Sequence, residues 1–272
     1  MHGLGNDYVV IDNIVQRISE KQAPELARTL CTRRFSIGAD GLLLIYRSMV
    51  ADIKMRIFNA DGSEAEMCGN GIRCFSKYCY ENGIVSKPEI KVETLSGIKQ
   101  IRLTLKGNEV VYVKVDMGSP KWERSALPMQ GQGTCINETL EVDHELYYVT
   151  CLSIGNPHCI IFVDNVDEFP VDSLGPIIEN HNAFPNRTNV GFVQVLNRNE
   201  LRVRVWERGC GETLACGTGT CAAVAAANKL GKVGNHVTVH VLGGDMQVEV
   251  GKTLFLSGAA EKVFEGRLFK EL

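Results

Sequence analysis

Apolar positions along this chain recur mostly in strand-like runs. Alternating or unbroken apolar stretches fall at 41–46, 53–58, 90–93, 101–105 and 110–115, and each reads as a strand. The style returns at 147–152, 159–163, 190–195, 201–206, 237–241, 246–250 and 253–256. Gly, Asn and Asp separate many of these runs, as turns require. Helical stretches are few. One is predicted over 24–33, with Pro24 in its first turn, and a short one after Asp172 as N-cap. Two more are predicted over 69–82 and 217–230, closed by Gly83 and Gly231. The run Thr220-Cys221-Ala222-Ala223-Val224-Ala225-Ala226-Ala227 has almost no polar face, and a helix apolar all round is buried. The pattern predicts an α/β (α+β) fold in which a strand-rich sheet or barrel wraps around a central helix, twice.

The repetition is visible in the residues. Sliding the chain on itself by 148 positions lays Cys68-Gly69-Asn70-Gly71 on Cys216-Gly217-Thr218-Gly219. The same slide lays Arg56 on Arg204, Glu64 on Glu212, Asn59 on Glu207 and Gly83 on Gly231. Nearer the start of each half, Gly5-Asn6-Asp7-Tyr8 matches Gly155-Asn156-Pro157-His158 at a shift of 150. Several matches in the same order indicate two copies of one domain. Turn residues at Asp116-Met117-Gly118-Ser119-Pro120 mark the boundary. The expected domains are 1–116 and 117–260, with 261–272 returning to the first.

Composition narrows the function. At 272 residues, 44% hydrophobic and 22% charged, the chain has ample core. A net charge of -3 gives no reason to invoke nucleic acid or an anionic membrane. No apolar run approaches the roughly 18 residues of a membrane helix, and the first residues lack the basic start and apolar stretch of a signal peptide. The expected location is cytoplasmic. Ten cysteines suggest disulfides or zinc, but the expected compartment disfavours the first. Structural zinc usually takes C-x-x-C pairs, and the chain has none. No metal site is expected.

The two glycine frames carry the chemistry. Each presents a cysteine at a helix N-terminus, where the helix dipole and unpaired N–H groups favour thiolate over thiol. The same N–H groups seat an anion such as an α-carboxylate. Two such thiols suit stereoinversion at a carbon acid, one taking a proton from one face and the other returning one to the opposite face. Alternatively, both frames are structural strand-to-helix turns with inert cysteines. Retention of cysteine in both copies, beside unlike neighbours Met67 and Ala215, favours the chemical reading. His158, Asn6, Asn156 and Asn189 read by themselves as structural or turn residues, and Glu207-Arg208 as a solvated strand end.

Taken together, the motifs resemble those of the diaminopimelate epimerase family, cofactor-independent amino-acid epimerases of bacterial and plant lysine synthesis. The resemblance spans nearly the whole chain. It rests on His2-Gly3-Leu4-Gly5-Asn6-Asp7, Phe58-Asn59-Ala60-Asp61-Gly62-Ser63-Glu64, Cys68-Gly69-Asn70-Gly71-Ile72-Arg73-Cys74, Gly155-Asn156-Pro157-His158, Asn189-Val190-Gly191-Phe192, Trp206-Glu207-Arg208-Gly209 and Ala215-Cys216-Gly217-Thr218-Gly219.

The resemblance implies two α/β domains with the active site in the cleft between them, a small-molecule amino-acid substrate, no cofactor and often a homodimer. It implies that Cys68 and Cys216 are the acid–base pair, tuned by His158 and Glu207. Gly69, Asn70, Gly217 and Thr218 would hold the reacting carboxylate. Asn6, Asn59, Asn156, Asn189, Glu207 and Arg208 would recognise the substrate, including its distal amino-acid end. The family usually has a short strand before the His2 segment, so an edge strand is expected to be missing or shifted. Some members carry Gln where this chain has Gly41, so any substrate contact from that Gln is lost or replaced. A sibling racemase acting on histidine or proline, and a non-catalytic redox-sensing duplicate, remain as alternatives.

Overall fold

A computed structural model describes residues 1–269. The chain forms two compact units: Met1–Asp116 together with the chain from Ser257 onward, and Met117–Leu256.

In the first unit, β1 (His2–Gly3), β2 (Asn6–Asp12), β3 (Gly41–Tyr46), β4 (Ile53–Asn59), β5 (Glu64–Ala65), β6 (Glu89–Thr94), β7 (Gly97–Lys106) and β8 (Glu109–Gly118) form the sheet. β2 runs parallel to β3, β3 antiparallel to β4, β4 parallel to β6, and β6 antiparallel to β7. β3 reads as an unbroken apolar run because both its faces are covered, and each of its leucines contributes about 2 kcal/mol by burial. On one face, Leu42 and Leu44 pack with Leu26, Ala27 and Leu30 of α2 (Ala23–Cys31), which follows the single turn α1 (Asn13–Gln16). Against β1, β2, β3, β4 and β7 lies α3 (Gly69–Glu81).

The second unit repeats this. Its strands are β9 (Cys135–Val142), β10 (Glu145–Ser153), β11 (Pro157–Phe162), β12 (Asn189–Asn197), β13 (Glu200–Glu207), β14 (Gly211–Thr213), β15 (His236–Val241) and β16 (Gly244–Val250). β11 is parallel to β12, β12 antiparallel to β13, β13 parallel to β15, and β15 antiparallel to β16. The pairing senses match those of β2-β3-β4-β6-β7 in order. α4 (Val171–Glu179) packs Val171 and Ile178 with Cys159, Ile161, Val190 and Phe192, as α2 does in the first unit. α5 (Gly217–Lys229) takes the place of α3 and packs on β10, β11, β12, β13 and β16. Its residues from Gly219 to Ala227 are buried all round, as the lack of a polar face predicts. β17 (Leu254–Gly258) carries the chain back to the first unit.

The two central helices end alike. Gly83 and Gly231 both take φ of 69° one residue past the cap. Ile84 N–H reaches Cys79 O, and Lys232 N–H reaches Ala227 O, each five residues back, which closes the last turn in a Schellman motif. Several details differ from the sequence reading, beyond the short elements α1, β5 and β14. The cap of α4 is Pro170, and Asp172 sits in the first turn, where its charge complements the helix dipole. His2–Gly3 itself forms the edge strand β1, pairing with β2 and exchanging backbone hydrogen bonds with Glu261. The strand β9 alternates only at its end, at Leu140 and Val142, because Asn137 adopts φ of 53° and Glu138 and Thr139 are exposed.

Candidate active site

Both glycine frames sit where a strand hands over to a central helix. Cys68 is the N-cap of α3 and Cys216 the N-cap of α5, both in extended backbone. Each sulfur accepts a hydrogen bond from the backbone N–H three residues on, Gly71 at 3.4 Å and Gly219 at 3.3 Å. The cap geometry explains the second glycine of each frame. A Cβ at Gly219 would lie 3.2 Å from Cys216 Sγ and 3.0 Å from Val205, and one at Gly71 would lie 3.3 Å from the Tyr8 ring. A helix's first-turn N–H groups have no intrahelical partner, and in these frames they belong to Gly69-Asn70 and Gly217-Thr218.

The surroundings of the two thiols differ. Cys68 is half-buried. Tyr8, from β2, places its phenolic oxygen 2.9 Å from Cys68 Sγ and 2.8 Å from Asn6 Oδ1. Asn6 Oδ1 also lies 3.6 Å from the sulfur and accepts from Asn70 Nδ2 at 3.3 Å. Asn70 Oδ1 in turn accepts from the buried guanidinium of Arg73 at 2.8 Å. Asp40 accepts from Asn6 Nδ2 at 2.7 Å, which turns the Asn6 oxygen toward Tyr8 and Cys68.

Cys216 is buried, with Glu207 from the end of β13 within hydrogen-bonding reach and Thr218 Oγ1 3.5 Å away. Burial first, and then the Glu207 charge, push the Cys216 thiol well above its ordinary range. Burial also raises the Glu207 carboxyl, against the opposing pull of hydrogen bonds from Thr213 and Cys216. Thr213 Oγ1 donates to Glu207 at 2.6 Å. Burial and the Glu207 charge both favour Cys216 as thiol over thiolate, with the Glu207 side chain beside it. His158 is buried on β11, its Nε2 paired with Asn156 Oδ1 at 3.0 Å and its Nδ1 without a partner. Burial, helped by the Arg208 charge, brings it down to about 3, so the imidazole is neutral at working pH.

Arg208 lies in the turn after β13. Its backbone N–H donates to Asn189 Oδ1 at 2.9 Å and its guanidinium to Asn186 O at 3.1 Å. Asn189 Nδ2 donates to Pro157 O at 2.8 Å, so this one amide ties the Arg208 turn to the Asn156-Pro157-His158 segment. The turn is braced from behind by Glu179 of α4, which is 4% exposed. That carboxylate accepts from Gly209 N at 2.9 Å, Trp206 Nε1 at 2.7 Å and Arg187 Nη1 at 3.0 Å.

Among the residues singled out from the sequence, Asn6 and Asn70 gather with Cys68 in the first unit. Asn156, His158, Asn189, Glu207 and Arg208 gather through β11, β12 and β13 in the second. Asn59 lies at the end of β4 opposite Gly41; it is exposed, and its amide donates to Ser63 Oγ at 2.9 Å within the turn before β5. Sequence reasoning missed Tyr8, Arg73, Thr213 and Glu179. Tyr8 had a signal, since the repeat lays it on His158. Glu179 had none, for an acid on a short helix reads as solvated.

Comparison with known proteins points one way. A family model described as diaminopimelate epimerase matches residues 1–123 and 150–263. The chain is 52% identical to the diaminopimelate epimerase of Moorella thermoacetica over 98% of its own length and 96% of that protein's. It is 47% identical to that of Methanococcus maripaludis, with 98% of both chains covered. In fold it resembles a hydroxyproline epimerase from Agrobacterium vitis, with a TM-score of 0.70 at 14% identity over 95% of this chain and 87% of that one. It also resembles a PhzF-family phenazine biosynthesis protein from Bacillus anthracis, with a TM-score of 0.69 at 20% identity over 95% and 92%.

Proposed function

The chain belongs to the diaminopimelate epimerase family, and from that premise we propose how its residues interconvert LL- and meso-2,6-diaminopimelate, a step that serves lysine synthesis. The observation that carries this reading is the pair of thiols, each capping a central helix in a duplicated frame. The reaction needs a base on one face of Cα and an acid on the other, and each unit supplies one thiol.

In one direction the Cys68 thiolate takes the α-proton. The electrons of the broken C–H bond move into the carboxylate, whose growing charge is met by the N–H groups of Gly69-Asn70 and Gly217-Thr218. The Cys216 thiol then gives its proton to the opposite face. Cys68 is left as thiol and Cys216 as thiolate, the state that runs the reverse direction. Glu207 and Tyr8 stand beside the two sulfurs whose protonation alternates. Arg208 forks onto the distal carboxylate, and the oxygens of Asn156 and Asn189 receive the distal ammonium. Asn6 and Asn59 complete the recognition in this reading. No pyridoxal phosphate or metal is required.

The same reading makes the protein a cytoplasmic homodimer. Among the described residues no helix is long and apolar enough to cross a membrane. Purified protein incubated with LL-diaminopimelate in D2O is expected to form the meso isomer with one solvent deuteron at the inverted carbon. Loss of activity with a chelator and its return with zinc would overturn the two-thiol reading.

A further inference from the structure

The duplication pairs Tyr8 with His158, and the structure keeps that equivalence. Both side chains are buried at the start of equivalent strands, and each bonds the asparagine two residues before it, Tyr8 with Asn6 and His158 with Asn156. They differ in reach. The phenol goes on to Cys68 Sγ at 2.9 Å, whereas the Nε2 of His158 ends on Asn156.

Gly41 makes this possible. The Tyr8 ring lies where a side chain at position 41 would begin: a Cβ there would sit 3.1 Å from Tyr8 Cε1 and 2.8 Å from Phe58 O. A glutamine at that position would meet the ring. The Tyr8 ring and the Phe58 carbonyl thus fill the space that a side chain at position 41 would need, and the ring is held there with its hydroxyl on Cys68.

We propose that Tyr8 is a positioning residue for Cys68, whose phenolic proton, shared between Cys68 Sγ and Asn6 Oδ1, supports the sulfur in both of its protonation states; this rests on the two-thiol reading above. The phenol has one proton and two acceptors in reach. When Cys68 is thiolate, the proton turns to sulfur as a charge-assisted hydrogen bond. When Cys68 is thiol, the phenol turns to Asn6 Oδ1 and its oxygen accepts the S–H. No bond to carbon changes and no proton leaves the group. Burial, and then the sulfur beside it, hold the phenol well above its ordinary range, so it stays a donor throughout.

The other groups facing this cluster are Asp40 ahead of β3, Cys74 and Arg73 on α3, and the amino group of Met1. Asp40 is engaged by Asn6 and by Arg33, and Arg73 by Asn70, Gly69 O and Ala259 O. The side-chain contacts of the sulfur run to Tyr8 and Asn6.

Tyr8→Phe tests the idea, since it keeps the ring that fills the space beside Gly41. Alkylation of Cys68 by iodoacetamide at pH 7, followed by peptide mass spectrometry, is expected to slow about tenfold, with Cys216 in the same molecules as internal reference. The ascending limb of the kcat/KM profile is expected to move up by about one pH unit. Both directions should lose the same factor, because the equilibrium between the isomers fixes their ratio. General loosening of the fold would instead speed alkylation at both cysteines, and would overturn the proposal. So would a Cys68 rate and a pH limb that stay within twofold of wild type. The alkylation rates need no substrate. A wild-type protein that fails to epimerise would thus sink the reaction, and unchanged alkylation would sink only the role of Tyr8.

Discussion

Arg204 and Glu212 are joined by two parallel hydrogen bonds, Nε to Oε1 at 2.6 Å and Nη2 to Oε2 at 2.9 Å, and Arg56 and Glu64 repeat the geometry at 2.6 and 2.8 Å. Each fork ties a long strand, β13 or β4, to the short strand that leads to its cysteine. In the second unit that short strand also carries Thr213 to Glu207. The two arginines are embedded differently. Arg204 also donates to the carbonyls of Val166 and Phe169, whereas Arg56 lies over the rings of Tyr46 and Phe58.

Glu212→Gln should therefore keep the fold, since Arg204 retains its carbonyl partners, but lose about 2 kcal/mol, the range for a charge-assisted hydrogen bond. Urea unfolding measures this. A parallel fall in activity is expected, because β14 sets the Thr213 hydroxyl on Glu207. Stability within about 0.5 kcal/mol of wild type, the ordinary range for surface changes, would mean that the fork is ornamental.

Acid should destabilise the protein through His158. The folded state holds this histidine down to about 3, against an ordinary value of 6.5. Between those values the unfolded chain binds a proton that the folded one refuses, so stability is lost as pH falls from 6.5 toward 3. The contribution is intact above pH 6.5. Urea midpoints across this window should decline in wild type and decline less in His158→Gln. Equal slopes would show that the imidazole is not held neutral by burial.

Single replacements of the two thiols should each stop inversion. Serine is a far weaker acid than cysteine, so Cys68→Ser lacks one base and Cys216→Ser the other. Epimerisation followed by NMR in D2O should drop to background in both. A halogenated substrate analogue, which needs one base to eliminate, should still react with one of them. Near-wild-type inversion by either variant would exclude the two-thiol route.

The helices and strands were readable wherever burial imposed a period. The central helix α5 announced itself because nearly every residue is apolar, and β3 because both faces are covered. The duplication located both cysteines, since the cap geometry demands the same Cys-Gly-x-Gly frame twice. Legibility failed where a side chain acts across the fold. The brace from Glu179 to Gly209 spans 30 residues and follows from packing of α4 on Trp206, which no local pattern encodes. Asn59 was legible from the repeat alone. Its place opposite Glu207 in the repeat marks it as a candidate site residue, and in the fold its amide also donates to Ser63 Oγ within the turn 59–63.

That brace yields a last prediction, separable from recognition by Arg208 itself. Arg208→Lys keeps the charge but loses the planar fork. It should cost about 10-fold to 1,000-fold in kcat/KM, in line with about 1.4–4 kcal/mol for a charged hydrogen bond made in the transition state. It should leave stability unchanged, because only the exposed guanidinium contact to Asn186 O is altered. Glu179→Gln should act differently. Its carboxylate accepts from three donors, and a glutamine amide would turn an N–H toward at least one of them. Leaving a buried donor unpaired costs about 1–3 kcal/mol, so this variant should unfold at lower urea as well as bind substrate less well. Its Cys216 alkylation rate should stay at the wild-type level, since the thiol is held by Gly219, Thr218 and Glu207 rather than by α4. A Glu179→Gln protein with normal stability and a normal KM would mean that Asn189 alone fixes the Arg208 turn.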